Sequence, residues 1–445
     1  MKPTLSTIAA PLRPHAAFAF YLLSVCWLVF SVFLVSGTRY LGQLELFLVV
    51  LLASYPFMVM AVRWLPLEPL LGAVRFAGWR DSAAWILLVL AVALAAGHFV
   101  HLGSVPVYDA FREQDYFKVM LIRQNIFDDA GVVWRYAPNM LIKSVLPFLL
   151  FYFVSRSLAG FLITLLVGTF YAIATLNKIF IVFLIAPAFI VAALEFDIRR
   201  AALMALALMA GLLILPLIQN PQVRPQIWVN IAAHLPEPAL STRLSDKANQ
   251  PGTMDAEALK RLAEIEGERA KIGIRIDRSS PLYVAFDTIK RRIVDVPGEV
   301  ITAWFRHIPS KIPFTYGCGY RWLAAIKGCE FRFVPAEINA LERPDLAKLG
   351  VAGTMTAASF MTDYANFGSW GFVISGLVLA LLFAALGLVF RDDWKAAVAL
   401  TAVPIMLLME IQLSTVILTG GWFLTVLFYL IWCRSPGGAV QRSAA

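Results

Sequence analysis

The sequence predicts an all-α integral membrane protein of about ten transmembrane helices, with a large helical periplasmic loop between the seventh and the eighth. Three observations carry this prediction. Of 445 residues, 60% are hydrophobic and only 15% are charged, where a soluble domain carries about 25% charged residues. The mean hydropathy is +0.74. The apolar residues also gather into stretches of about 20, the length a helix needs to cross a hydrocarbon core. A soluble fold could not cover that much apolar surface. A soluble enzyme, a disordered chain and a disulfide scaffold are therefore excluded. The net charge of +9 points in a membrane protein to cytoplasmic loops and anionic ligands, not to nucleic acid.

The ten stretches are 17–36, 43–62, 83–101, 139–155, 158–175, 179–195, 201–218, 368–390, 396–413 and 417–433. The first has the length of a signal peptide but lacks a clear small-residue cleavage site, so it reads as a retained helix. Only Asn177 and Lys178 part the fifth stretch from the sixth. Without that break nine spans would remain and everything downstream would invert. Charge bias decides the orientation. With the N-terminus inside, Lys2, Arg13, Arg63, Arg75, Arg80, Arg156, Arg199, Arg200, Arg391, Lys395, Arg434 and Arg442 all fall on the cytoplasmic side. The short outer turns hold only Arg39 and Lys178. The expected location is a bacterial inner membrane, crossed several times, with both termini cytoplasmic.

This divides the chain into three regions. Residues 1–218 form a bundle of seven spans with an outer segment at 102–138. Residues 219–366 form a periplasmic loop domain. Residues 367–445 form a bundle of three spans. The loop is too long for a passive connection and should fold into its own helices. Its stretch from Asp255 to Ile276 has helical apolar spacing, through Leu259, Leu262 and Ile265.

The loop carries 19 basic and 16 acidic residues, but from Arg269 to Arg332 the ratio is 12 to 5. Arg275, Arg278, Lys290, Arg291, Arg292, Arg306, Lys311, Arg321 and Arg332 lie there, interleaved with Tyr283, Trp304, Phe305, Phe314, Tyr316, Tyr320 and Trp322. The planar guanidinium fork suits phosphate, and aromatic faces suit the C–H faces of sugars. Together they suggest a ligand with both a phosphate and a glycan. The competing explanation is that these cations serve lipid head groups or nearby carboxylates.

Other chemistries leave no trace. There is no GxxxxGK[ST], no GxGxxG after a strand and no HExxH. His98 and His101 lie three apart on one helix face, a spacing that fits interfacial packing better than a metal pair. His307 sits inside the basic aromatic stretch and can serve as a base or a phosphate ligand. Ionisable residues within spans are few: Glu45, Lys143 and Lys178 near span ends, and Glu410. An ion-coupled transporter normally carries charges or broken helices near the midplane of several spans. Cys318 and Cys329 lie in the outer loop, on the oxidising side, where a disulfide would close a short loop worth roughly 2–3 kcal/mol.

Three segments together resemble the Wzy-type O-antigen and oligosaccharide repeat-unit polymerases. They are HLGSVPVYDAFR from His101 to Arg112, RRIVDVPGEVITAWFRHIPSKIPFTYGCGY from Arg291 to Tyr320, and SFMTDYANFGSWGF from Ser359 to Phe372. The last is the most specific, an acidic-aromatic-Asn-Phe-Gly-x-x-Gly entry into the span after the large loop. It also reads as a helix N-terminus, capped by Asn366 or Ser369, with Gly368 and Gly371 letting helices approach. Family members often carry a Gly-Ser-Arg turn between the paired middle spans. This chain has Thr175, Leu176, Asn177 and Lys178 there, and a lysine lacks the bidentate fork.

The resemblance implies a membrane glycosyltransferase similar to the GT-C superfamily, independent of metal and without a cofactor. It would transfer a growing glycan from undecaprenyl pyrophosphate to the sugar of a new lipid-linked unit. Arg must then neutralise the departing pyrophosphate, with Arg291, Arg292, Arg306 and Arg321 foremost and Arg123 as a partner from the first outer segment. Lys178, Arg275, Arg278, Tyr320, Tyr364 and Asn366 complete the expected substrate contacts. The base for the acceptor hydroxyl is expected among Asp363, His307 and Asp109, in that order. Membrane lipids, a chain-length regulator and a flippase are the expected partners. Two alternatives stay open: an O-antigen ligase delivering the glycan to lipid A core, and a transporter or flippase for lipid-linked sugars.

Overall fold

The computed structural model describes residues 10–64, 80–114, 118–119, 122–123, 126, 132–221, 224, 226–233, 290–344 and 353–433. Every regular element among them is helical. In chain order these are α1 (Ala16–Ser36), α2 (Leu41–Trp64), α3 (Arg80–Leu102), α4 (Pro106–Arg112), α5 (Val132–Met140) and α6 (Leu146–Val154). Next come α7 (Leu158–Ala174), α8 (Lys178–Leu194), α9 (Ile198–Gln219) and α10 (Gln226–Ala233). The loop region contributes α11 (Val296–His307), α12 (Arg321–Lys327), α13 (Val334–Glu342) and α14 (Ser359–Phe367). The chain then continues through α15 (Ser369–Val389), α16 (Trp394–Leu408), α17 (Leu413–Ile417) and α18 (Trp422–Trp432). Two π-helical turns, Leu141–Val145 and Arg291–Asp295, lead into α6 and α11. The helical stretch expected from Asp255 to Ile276 lies outside the described residues.

Among the described residues, seven helices are long and apolar enough to cross a membrane: Arg13–Ser36, Leu41–Trp64, Arg80–Leu102, Tyr136–Val154, Ile198–Gln219, Ser369–Val389 and Leu413–Trp432. Three shorter apolar helices, α7, α8 and α16, coincide with the other three expected spans. The chain is thus an all-α, multi-pass type of protein. The break expected beside Lys178 is real. Thr175 and Leu176 form a turn in which the Leu176 and Asn177 amides donate to the Ile173 and Ala172 carbonyls. The same turn recurs at Phe196 and Asp197, which donate to Ala193 and Ala192. Leu176 and Phe196 both have φ of +57°, a conformation glycine usually supplies. Asp197 then caps α9 by accepting from the Arg200 amide at 3.1 Å.

The chain folds as two units, neither continuous in sequence. One contains residues 1–65, 254–391 and 405–414; the other contains 66–253, 392–404 and 415–445. In the first unit α2 packs along α15, and α1 packs against α11. A Cβ on Gly298 would stand 2.4 Å from the Ser31 carbonyl oxygen, so only glycine lets α11 approach α1 this closely. The Ser31 hydroxyl donates to the Val294 carbonyl inside the π-helical turn. The second unit stacks α6, α7, α8 and α9 through three-residue turns. Inside it a buried pair, Ser144 and Thr425, bonds at 2.8 Å.

Arg224 holds another part of the second unit. It is 7% exposed and donates to five backbone carbonyls. Leu217 and Ile218 belong to the last turn of α9; Ala110, Phe111 and Glu113 belong to the end of α4. One guanidinium thus closes two helix C-termini, where carbonyls lack partners and the dipole favours a cation.

Candidate functional site

The site grows from a helical hairpin in the first unit. α14 ends at Gly368, whose φ of +61° reverses the chain into α15. The two helices then lie side by side. A Cβ on Gly371 would stand 2.1 Å from the Asp363 carbonyl oxygen. Tyr364 stacks on Phe372 with ring centroids 5.0 Å apart, and Phe360 stacks on Phe47 of α2 at 4.4 Å. Asp363 is therefore level with the first turns of α15, a helix of membrane-crossing length.

Asn366 fastens a second segment to this hairpin. Its side-chain oxygen accepts from Thr315 Oγ1 at 2.6 Å, the Gly317 amide at 3.0 Å and the Gly319 amide at 3.1 Å. Its amide nitrogen donates to the Thr362 carbonyl at 2.8 Å. The Thr315 and Tyr316 amides bond the Ala365 and Asn366 carbonyls. Gly319 must lack a side chain, since a Cβ would stand 2.8 Å from the Asn366 amide. The Phe314–Tyr320 loop is thus pinned to the C-terminal end of α14, just before α15 begins. A disulfide joins Cys318 to Cys329 and closes it around α12. Asn366 uses its polar atoms to hold the loop, while the Tyr364 hydroxyl donates to the Ile308 carbonyl, just past the end of α11, at 3.3 Å.

The clamp delivers Tyr320 to Asp363. The phenol donates to the Asp363 carboxylate, and the Ser375 hydroxyl of α15 bonds the same group. Burial raises the Asp363 pKa from 3.8 to about 6, with the two hydroxyl donors opposing the shift. Burial, and then the Asp363 charge, push Tyr320 upward, so it remains a protonated donor. The hydroxyls of Tyr21 and Ser359, 0% and 1% exposed, are neighbours of one another, and Tyr21 also lies within reach of the Asp363 charge. Next in sequence to Tyr320, Arg321 is exposed and lies over the Phe331 ring at 4.9 Å. Tyr320 therefore bonds a carboxylate whose pKa is raised to about 6, and the residue after it carries an exposed guanidinium.

A second cluster lies on α11 and α13. Glu342 Oε1 lies 2.7 Å from Arg306 Nη1 and 2.7 Å from His307 Nε2. His307 is 3% exposed and its Nδ1 is enclosed without a partner among the described residues. Arg306 keeps its outer face open. The arrangement suits Arg306 to an anion better than it suits His307 to a proton transfer with solvent-borne substrate. Lys290 pairs with Asp295 at 3.6 Å beside the exposed Arg291.

The sequence-predicted residues thus divide. Asp363, Tyr320, Tyr364, Asn366, Arg321, Arg306, His307, Arg291 and the two cysteines lie in the first unit. Asp109, buried in α4, the exposed Arg123, and Lys178 at the start of α8 lie in the second. Arg275, Arg278 and the Arg292 side chain lie outside the described residues. Sequence reasoning missed Glu342, Ser375 and Arg224. Glu342 is 35 residues from the histidine it holds, and no local spacing marks it. Arg224 sits between prolines just past a span, in Asn220–Pro225, which was a readable hint of a capped helix end. No group of three or more His, Cys, Asp or Glu that could hold a metal occurs among the described residues. Comparison with family profiles, curated proteins and solved structures finds no match.

Proposed function

We propose that the chain is a membrane glycosyltransferase that polymerises undecaprenyl-pyrophosphate-linked glycan repeat units at the periplasmic face of a bacterial inner membrane. The reading rests on one observation above the resemblance of its motifs. A half-buried carboxylate, Asp363, is bonded to Tyr320 next to an exposed cation, Arg321, at the end of a helix of membrane-crossing length. Glycosyl transfer from a lipid pyrophosphate needs that pair of functions at that place. Asp363 takes the proton of the acceptor sugar hydroxyl as its oxygen bonds the donor's anomeric carbon. The bond from that carbon to the pyrophosphate oxygen breaks, and the lipid pyrophosphate leaves with its charge matched by Arg321, Arg306 and Arg291. Tyr320 orients the carboxylate, while Asn366 orients Tyr320 through the loop it holds.

The test is reconstitution of the purified chain with a lipid-pyrophosphate-linked repeat unit. Asp363→Asn and Arg321→Ala should each lower chain elongation by about 10²-fold or more while the protein stays in the membrane fraction. Full-length ladders from both variants refute the assignment. A second reading, a transporter for lipid-linked sugars, draws on the interruption between α17 and α18, where Gly421 has φ of +76°, since transporters use broken helices. Movement of labelled lipid across liposomes without elongation would support it.

A further inference from the structure

We infer that α12 is a membrane-interface anchor, whose Trp322 and Ile326 rest in the interfacial layer of the lipid bilayer at the end of α15. The pair lies four residues apart on one helical face. Trp322 is 58% exposed and Ile326 is 74% exposed. Such side chains in a soluble loop would be a liability, but tryptophan is the residue most at home at the boundary between hydrocarbon and water.

Three observations place that boundary beside α12. Asn366, three residues before α15, holds Thr315, Gly317 and Gly319. Tyr320, the residue before α12, bonds Asp363, and Asp363 is level with Gly371 in the first turn of α15. α15 itself carries an exposed apolar stripe through Trp370, Ile374, Leu377, Val378 and Leu381, which begins at that same turn. The base of α12 is thus level with the start of a lipid-facing surface.

The flanking charges fit the same partner. Arg321 and Lys327 bracket α12, and both are exposed. Interfacial segments combine apolar insertion with cations that meet lipid phosphates. The loop is also rigid enough to act as an anchor. The Cys318–Cys329 disulfide ties its two ends, Gly328 closes α12 in the left-handed conformation at φ +67°, and Lys327 donates to the Tyr316 carbonyl at 2.5 Å. The anchor would fix the height of Tyr320 and Asp363 relative to the bilayer surface. The inference itself concerns the lipid contact and stands apart from the proposed reaction.

The test places the photoreactive analogue p-benzoylphenylalanine singly at Trp322, Ile326, Glu330 and Trp370 of the full chain. Each protein is reconstituted into phosphatidylcholine–phosphatidylglycerol vesicles and illuminated, and adducts are read by mass spectrometry. Trp370, on the apolar stripe of α15, and the exposed Glu330 serve as references. Phospholipid adducts at Trp322, Ile326 and Trp370, and none at Glu330, are the expected result. Adducts at Trp370 with none at Trp322 and Ile326 overturn the inference. So do cross-links from Trp322 and Ile326 to a second copy of the chain in place of lipid.

Discussion

Asp363 joins a half-buried charge to function, and its titration can be read two ways. A base must be ionised, so elongation should rise as pH climbs through about 6 and reach a plateau above it. A rate profile flat from pH 5 to pH 8 would move the base elsewhere. The same shift costs stability. Burial makes the folded chain hold this proton more tightly than the unfolded chain does. The favourable contribution is full below the ordinary value of 3.8 and is lost as pH rises to about 6. At neutral pH Asp363→Asn should therefore melt a few degrees above the parent in detergent, and the difference should vanish near pH 4. Asp363, Tyr320 and Asn366 were all readable as site residues, because carboxylate, phenol and amide in such a segment announce polar chemistry. Their division of labour was not readable. Only the fold shows that Asn366 bonds three groups of another segment and that Tyr320 is what reaches the carboxylate.

The hairpin of α14 and α15 and the double cap at Arg224 show where packing decides. Gly371 lets α14 lie against α15. Gly371→Ala should force the helices apart at a cost of about 1–3 kcal/mol and weaken the Tyr320–Asp363 bond, read as a lower melting temperature and reduced elongation. Arg224→Met leaves carbonyls at two helix ends without partners and should destabilise the second unit by about 3 kcal/mol or more. Arg224→Lys should not restore it, because one ammonium cannot span five carbonyls. Protection of the amides in α4 and α9 from hydrogen exchange measures both. The helices themselves were legible: ten apolar stretches became ten apolar helices or helix pairs, with ends near those expected. The π-helical turns and the split of the last stretch were not, since an irregular ladder depends on partners such as Ser31 that lie far away in sequence.

For the chain as a whole, span number decides topology. Among the described residues seven helices meet the length for crossing, and three more, α7, α8 and α16, are apolar but shorter. An even number of crossings puts both termini on one side and an odd number puts them on opposite sides. Ten crossings, the number that fits the distribution of Lys and Arg, predict that tags at both ends are shielded in intact spheroplasts and cleaved after lysis. A tag exposed at one end only would show that one or all three of the shorter helices do not cross. The two units also cut across the order of the chain. The first gathers α1, α2, α11 to α15 and residues 405–414, so the loop region from residue 254 onward shares its unit with the first two expected spans and the eighth.

The sequence by itself determined that the chain is helical and made for a membrane, and where its polar chemistry is concentrated. Composition and apolar run length are local properties, and a hydrocarbon core admits few backbone solutions to them. It also marked the cysteine pair and the acidic-aromatic segment, since those residue types carry their chemistry wherever they sit. The tertiary structure alone decided which of those groups meet. A hydrogen bond such as Tyr320 to Asp363, or Glu342 to His307, joins residues 43 and 35 positions apart. Its existence depends on close approaches at Gly298, Gly319 and Gly371 that no local pattern reveals.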